Sequence, residues 1–550
     1  MLSPSGGSSP FIHLNARDTV VVALKELPQG TRLRIGQQEI ETRQTIPPGH
    51  KLAITAIDAD RPVTKFGWPI GLTTRRIEAG EHIHSHNLRC DHTIDLEAIA
   101  TEIPGDLEPV TGYTFEGYER ASGQVGTRNY LAIISNVNCS ASVARMIAQR
   151  FDAEALEAFP NVDGVVAFRH EGGCAMRYDG SRHRMLARVL GGVARHPNIG
   201  GFILVGLGCE QGTLGHLVQQ QGLNQIQIPP HLATGNGNAF PSLASGSGIT
   251  GSTVHGAAGN GAASGGGVPM LSIQDEGGTR KTIEHGVEMV QQLLPIVNAA
   301  RRRTAPASRL ILGTNCGGSD GYSGITANPV LGCASDIIVA CGGTTVLAET
   351  TEIYGAEQLL TRRARSAAVA HKLLERIEWW KWYCSVFGEE IDSNPSVGNK
   401  AGGLTTITEK SLGAVAKTGH TALEAVYEYA EPITAKGFVV MDSPGFDPAS
   451  VTGLVASGVN LVAFTTGRGS CFGCKPVPSL KIASNSALFA RMRDDMDFNA
   501  GQAVEGRSVE ELGHELFLQL LKVASGEKTR SELLGIGDDE FVPWTVGPVL

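Results

Sequence analysis

The spacing of apolar and polar positions changes character twice along the chain. From Phe11 to Asn87 short β-branched runs such as Thr19–Leu24 and Lys51–Ala56 alternate with turn signals at Pro28–Gly30, Pro47–His50 and Glu78–Gly80. That pattern predicts an all-β segment. A polar, proline-bearing stretch from Arg89 to about Pro109 predicts a linker. From Tyr130 onward, apolar runs of strand length recur, each followed by a helical period: Tyr130–Ile134, Val162–Ala167, Phe202–Val205, Arg309–Leu312, Asp336–Val339, Thr344–Leu347, Gly437–Met441 and Asn460–Phe464. Apolar strands alternating with helices predict a largely parallel sheet covered on both faces. Between His231 and Val268 the chain is rich in Gly, Ser, Ala and Asn, with too few large apolar groups to build a core, so a disordered surface loop is expected there. A phosphate cradle is the alternative, but the Gly-Lys-Ser/Thr ending of a P-loop is missing.

Length and composition narrow the class. A chain of 550 residues exceeds one ordinary core and predicts two to four domains. With 41% apolar and 18% charged residues it reads as globular, and a formal charge of −9 speaks against a nucleic-acid-binding surface. No apolar run is long enough to span a bilayer. The stretch Met1–Pro10 is Ser/Gly/Pro-rich without the basic and apolar regions of a secretory signal, so a disordered N-terminus and a cytoplasmic location are expected. In that setting ten cysteines are not a disulfide framework, and most are expected to be small buried hydrophobes.

The chemically unusual residues collect just after predicted strands. Cys139 follows the first, His170 and Cys174 the second, Cys209 and Glu210 the third, and Cys316, Ser319 and Asp320 the fourth. Glu349 and Glu352 follow Leu347, and Arg468 follows Phe464. Ligands in open α/β sheets bind beyond the carboxyl ends of strands. Cys139, Cys174, Cys209 and Cys316 are candidate soft ligands for iron, zinc or an iron–sulfur cluster, with Glu349, Glu352 and Asp320 as oxygen donors; the alternative is cysteines packed under tight loops. His170 is a candidate base or ligand, or a hydrogen-bonded structural imidazole. Arg468 can grip a carboxylate bidentately, and Lys481 can hold a carboxylate or act as a base, unless it is simply solvated. The polar loop Asn394–Lys400, with Asn399 and Lys400, can bind hydroxyls or merely turn the chain. His13, His50, His82, His84 and His86 stand out in the N-terminal segment; on a strand from Glu81 to His86, residues 82, 84 and 86 share a face suited to a metal or an anionic sugar acid. The cluster Trp379–Tyr383 reads as a helix docked on the core.

Taken together, Gly117-Tyr118, Gly126–Asn129, His170 with Cys174, Gly206–Glu210, the long block Cys316–Pro329, Asn394–Gly403 and Thr466–Gly469 resemble the altronate/galactarate dehydratase family over essentially the whole chain outside the Gly/Ser-rich insertion. The resemblance implies an α/β protein with an N-terminal all-β SAF (β-clip) domain at 11–88, a linker at 89–115, a middle α/β domain at 116–300 carrying the insertion, and a C-terminal Rossmann-like, mainly parallel domain at 301–550. It implies loss of water from an aldonic or aldaric acid to give a 2-keto-3-deoxy acid, a need for iron, and a homodimer. Gly80–Asn87, Gly343–Leu347 and Gly355–Leu360 are altronate-like, whereas Ser470–Cys474 is unusually cysteine-rich for the family. On this basis Cys139, Cys174, Cys209 and Cys316 are expected to bind iron or an iron–sulfur cluster, with Glu349 or Glu352 completing a mononuclear alternative and other divalent metals possible. His170, Glu210 and Lys481 are the catalytic candidates. Arg468, Ser319, Asp320, Asn328, Asn399, Lys400, His13, His50, His82 and His84 are expected around a small sugar-acid substrate. Competing readings are a galactarate or other sugar-acid dehydratase, a lyase expelling sulfite, a sugar-acid-binding module without turnover, and a nicotinamide oxidoreductase; the last lacks a Gly-x-Gly-x-x-Gly after the first strand.

Overall fold

A computed structural model of the chain describes residues 9–91, 99–224 and 268–546. The expected disordered N-terminus and the Gly/Ser-rich insertion therefore lie almost wholly outside the described residues. The chain forms two compact units, one built from the segments to Phe115 and from Pro306 to Glu540, the other from Glu116–Ala305 with Phe541–Leu550.

In the first unit the N-terminal segment is all-β. Strands Phe11–Ile12, Val20–Ala23, Lys51–Ala53 and His82–Ile83 make an antiparallel four-stranded sheet, flanked by small two- and three-stranded sheets. Its apolar residues divide between two clusters. Val21, Ala23, Leu27, Leu33, Ile46 and Leu52 form a small core within the segment. Val20, Ile57, Val63, Ile70 and Ile77 instead pack in one cluster with Leu347, Ile353, Leu360, Leu412 and Phe438 from the C-terminal part. Sharing that second core adds buried surface that a segment of this size supplies only marginally alone.

The C-terminal part is a seven-stranded parallel sheet. Its strand order is Leu423–Tyr427, Gly437–Met441, Thr344–Leu347, Ile311–Cys316, Leu461–Thr466, Ser479–Ala483 and Phe498–Asn499. The chain leaves Ile311–Cys316 toward one edge and later returns through Leu461–Thr466 toward the other. The crevice where the order reverses opens at Cys316, the kind of place where α/β sheets bind ligands. One expected strand is corrected: Asp336–Val339 lies inside the helix Ala327–Ala340. That helix is buried over most of its surface, so its apolar residues show no 3.6-residue stripe, and a short β-branched run imitates a strand.

The second unit carries its own parallel sheet, ordered Gly164–Phe168, Tyr130–Ser135, Ile199–Gly206 and Met270–Ser272. Helices Asn138–Ala148 and Thr279–Asn298 pack on it through Val143, Ile147, Val290, Leu293 and Leu294. No helix among the described residues is long and apolar enough to cross a membrane.

Candidate active site

The strand Ile311–Cys316 delivers Cys316 to the crevice, and the neighbouring strand Thr344–Leu347 leads into Glu349 and Glu352. Potential ligand atoms of Cys316, Glu349 and Glu352 lie within 4.8 Å of one another, and all three residues are buried. Glu349 sits in the left-handed region (φ 65°, ψ 60°), unusual for a side-chain-bearing residue and costly enough to need support. Its backbone N–H donates to Ser443 Oγ at 2.8 Å, and its Oε2 accepts the Cys316 N–H at 2.9 Å. Its other carboxylate oxygen is buried without a hydrogen-bond partner among the described residues. Cys316 Sγ lies 3.3 Å from Glu352 Oε2.

Two lysines face this acid group. Lys417 Nζ lies 3.0 Å from Cys316 Sγ and 3.4 Å from Glu349 Oε2. Lys410 Nζ pairs with Glu352 Oε1 and donates to Asn394 Oδ1 at 3.1 Å, while Asn394 Nδ2 donates to Glu352 Oε1 at 3.0 Å. Both come from the helix Ile407–Val415 and the turn that continues it, where a spacing of seven residues returns to one face. Asp447, at the start of helix Asp447–Ala456, completes the group: it accepts from Asn315 Nδ2 at 3.3 Å, and a Cβ on Gly317 would come within 2.4 Å of it.

Burial drives the electrostatics. It raises the Glu349 carboxyl, with Glu352 adding to the rise, and it raises Asp447 likewise. Burial pushes Glu352 the same way, but Lys410 and Lys417 overcome it and hold that carboxyl below its ordinary value. The Cys316 thiol is pushed up, first by burial and then by Glu349. Lys410 and Lys417 are held above their ordinary values by the surrounding anions, against the effect of burial. Neighbouring carboxyls forced to opposite protonation states are the arrangement that acid–base chemistry uses.

Around this centre the structure gathers many of the sequence-predicted residues. Asp320 organises its loop, accepting from the Tyr322 and Ser323 N–H groups, Ser484 Oγ and Asn485 Nδ2. Asn399 Nδ2 donates to Ser319 O at 2.8 Å. Cys316, Ser319, Asp320, Asn328 and Lys410 line one small cavity. The exposed Arg468 lies over Gly318 and Gly402, with its N–H donating to Gly318 O at 2.7 Å.

The histidine loop reaches the same place. A Cβ on Gly321 would meet Gly49 O at 2.0 Å, and one on Gly403 would meet it at 2.3 Å, so only glycines let these three loops touch. The expected strand Glu81–His86 is corrected: it ends at Ile83 and a turn follows. That turn, with His50 from the adjacent strand end, still assembles the imidazoles. Ring centroids of His50, His82 and His84 are 5.1–5.4 Å apart. His50 contacts Ala401 O at 3.3 Å and His84 contacts Lys400 O at 2.9 Å. Burial lowers His50 to about 4 and, with His50 beside it, His82 to about 3, so these rings are neutral near pH 7 and present hydrogen bonds rather than charge. His13 stands apart, its Nε2 3.2 Å from Asp18 O.

Lys481 is neither solvated nor at a loop end. It lies in strand Ser479–Ala483, fully buried, and its Nζ donates to Phe472 O at 2.9 Å. Cysteine burial also departs from expectation: of the ten, Cys316 and Cys474 are buried, whereas Cys139, Cys174, Cys209 and Cys471 are exposed.

The remaining predicted residues belong to the second unit. Cys139, in the first turn of helix Asn138–Ala148, and Cys174 and Cys209, on loops, lie at the carboxyl edge of its sheet. His170 has Nε2 2.9 Å from Ser135 O, while Nδ1 accepts the Gly172 N–H at 3.0 Å. Both nitrogens are thus engaged with backbone. Glu210 braces its loop through the Gly208 N–H at 2.6 Å and Asn136 Nδ2 at 3.3 Å.

Lys410, Lys417 and Asp447 were not singled out from sequence. The available signal was two lysines seven apart flanking the short apolar run Leu412–Ala416, where a charge has no place unless it is paired.

A buried acid–thiol–lysine group at the switch point of a parallel sheet has the chemistry to move protons, and sequence relationships give the class of protein. Residues 9–91 match the altronate/galactarate dehydratase SAF domain, residues 117–298 the second domain of D-galactarate dehydratase/altronate hydrolase, and residues 307–549 the C-terminal domain of D-galactarate/altronate dehydratase. The chain belongs to the altronate/galactarate dehydratase family and is a hydro-lyase. It is 34% identical to altronate dehydratase of Bacillus subtilis over 95% of this chain and 96% of the relative. It is 36% identical to altronate dehydratase of Escherichia coli, again over 95% and 96%. Galactarate dehydratase (L-threo-forming) of Escherichia coli is also 36% identical, over 94% of this chain and 93% of the relative.

Proposed function

We propose that this chain removes water from altronate to give a 2-keto-3-deoxygluconate, with galactarate as the alternative substrate, and that the reaction takes place at Cys316, Glu349, Glu352, Asp447, Lys410 and Lys417. The observation that carries this reading is the buried cluster of Cys316, Glu349 and Glu352 facing two lysines. Dehydration must remove a weakly acidic proton from the carbon beside the carboxylate and expel a hydroxyl, a poor leaving group. Glu352, held ionised, is the group able to accept that proton. Asp447, raised to about 7 by burial and by the neighbouring Glu352, is able to deliver a proton to the departing hydroxyl. Lys410 and Lys417 supply positive charge for the enediolate that forms between these steps. The exposed guanidinium of Arg468 holds the substrate carboxylate, and the neutral imidazoles of His50, His82 and His84 hold hydroxyls.

The same residues fit a divalent cation, iron first. One soft sulfur and two carboxylates converge, and Glu349 has a buried oxygen without a partner. Cys316 and Glu349 would hold the ion with Glu352 within reach. Bound there, it would neutralise the enediolate and polarise the leaving hydroxyl.

The test is anaerobic incubation with ferrous iron and a panel of aldonic and aldaric acids, with detection of 2-keto-3-deoxy products. Altronate is expected to turn over fastest, and chelator treatment to abolish the reaction until iron is restored. Conversion of galactarate but not altronate would reverse the substrate assignment. No product from any acid would end the reading.

A further inference from the structure

The three thiols of the second unit are not used by the chemistry above, and their placement is unusual. Cysteine is among the residues most often buried, yet Cys139, Cys174 and Cys209 are all exposed. They follow three adjacent strands, Tyr130–Ser135, Gly164–Phe168 and Ile199–Gly206, Cys139 in the first turn of helix Asn138–Ala148 and Cys174 and Cys209 on loops.

Those loops are tied directly to one another beside each cysteine. The Asn138 N–H donates to Gly172 O at 2.9 Å, and the Gln211 N–H donates to Gly173 O at 3.3 Å. Asn136 Nδ2 bonds both Gly212 O, at 2.5 Å, and Glu210 Oε1, at 3.3 Å. The contact of His170 with Ser135 O ties the second loop to the end of the first strand. Gly173, at φ +93°, could carry no side chain, because a Cβ would come within 2.5 Å of Asn136 O. Buried polar side chains and a glycine therefore hold three exposed thiols on one rigid platform.

We infer that this platform is an iron–sulfur cluster site with Cys139, Cys174 and Cys209 as its protein ligands. A donor set of thiols alone selects a soft metal centre, and thiolates are the usual ligands of iron–sulfur clusters. The spacing separates a cluster from a single ion. Among the described residues only Cys316, Glu349 and Glu352 bring three ligand atoms within 4.8 Å of one another, so the three sulfurs are spread more widely than one ion requires. A polynuclear cluster, whose irons are themselves separated, accepts ligands spread in this way. In a four-iron cluster three thiolates would leave one iron without a protein sulfur, able to take an exogenous oxygen ligand. This site is independent of the reading at Cys316.

The experiment uses the full chain, stripped with chelator under anaerobic conditions and loaded with ferric iron, sulfide and a thiol reductant. Expected are acid-labile sulfide in proportion to iron and a broad sulfur-to-iron charge-transfer absorption. C139S, C174S and C209S should each lose the labile sulfide, while C471S keeps it. In the loaded wild-type protein, Cys139, Cys174 and Cys209 should resist alkylation and Cys471 should not, a readout that needs no variant to fold. Iron without labile sulfide in the loaded wild type, or free alkylation of the three thiols, would overturn the inference. C316S is expected to keep the labile sulfide while losing dehydration. Loss of dehydration in every iron-loaded form with the cluster intact would instead count against the proposed function alone.

Discussion

Two buried charge groups in the first unit look alike in composition and differ in completeness. Around Glu409, one carboxylate meets two lysines: Lys51 at 2.9 Å and Lys65 at 2.8 Å. Thr405 adds its N–H and its hydroxyl, so both oxygens are satisfied. Around Cys316, three carboxylates and a thiol meet two lysines, and one oxygen of Glu349 has no partner among the described residues. The first group is closed and joins the N-terminal β segment to the helix Ile407–Val415. The second is left with carboxyls that burial raises and an unfilled acceptor on Glu349, a costly state for a buried site unless a substrate, proton or cation completes it. Burial alone therefore does not mark chemistry; incomplete pairing does.

Removing one member of each group sharpens the contrast. Glu352→Gln keeps the shape and the bond from Asn394 but removes the ionised carboxylate, so turnover should fall by about 10²–10⁴, the usual worth of a positioned acid or base. Far-UV circular dichroism should stay the same, and melting temperature should fall less than in Glu409→Gln, because Lys410 keeps Asn394 Oδ1 and the other anions beside it; turnover per folded molecule preserved would show that both groups are scaffold. Glu409→Gln should do the reverse. It leaves Lys51 and Lys65 buried without a counter-charge, a loss of about 3–5 kcal/mol by denaturant titration, with kcat per folded molecule nearly unchanged.

The same variant carries a pH signature. Burial would raise the Glu409 carboxyl, but Lys51 and Lys65 win and hold it well below its ordinary value of 4.5. A carboxyl lowered by folding contributes stability that is present above its unfolded value and lost as pH falls toward its folded one. The difference in stability between wild type and Glu409→Gln should shrink as pH falls below 4.5. A difference that persists unchanged far into acid would remove the ion pair as its cause.

The sequence announces the framework of this molecule better than its pairing. The strands around Leu131, Val346 and Val439 were legible because parallel strands buried on both faces read as unbroken apolar runs. Asp336–Val339 was not, since a buried helix loses the stripe that would identify it. Cys316, Glu349 and Glu352 were recognisable at strand ends, and family motifs marked the loops of Asp320, Lys400 and Arg468. Lys410 and Lys417 were missed because their role depends on a fold that carries a distant helix onto the crevice. Lys481 misled for the opposite reason: a lysine beside prolines suggests an exposed loop, while the strand pairing that buries it lies elsewhere in the chain.

Arg468 tests the boundary between the two kinds of group, since it is exposed and belongs to neither. If it grips the substrate carboxylate, Arg468→Ala should raise KM with a smaller effect on kcat, by an amount equivalent to about 1.5–3 kcal/mol for a charged hydrogen bond. A change in kcat alone would place it in the chemistry instead.

Lys481 supplies the smallest expected effect and the sharpest check on the rule that pairing separates scaffold from site. Burial lowers its amine from the ordinary value, and its Nζ has a backbone partner in Phe472 O. Lys481→Met nearly conserves volume and removes both the buried charge and the need to satisfy it, leaving one carbonyl without its donor. The net cost should be about 1 kcal/mol, close to that of one hydrogen bond, and kcat and KM should stay at wild-type values. A large loss of turnover with stability intact would mean that a buried lysine bonded to the backbone takes part in catalysis, and pairing would then no longer distinguish the reacting group around Cys316 from the structural one around Glu409.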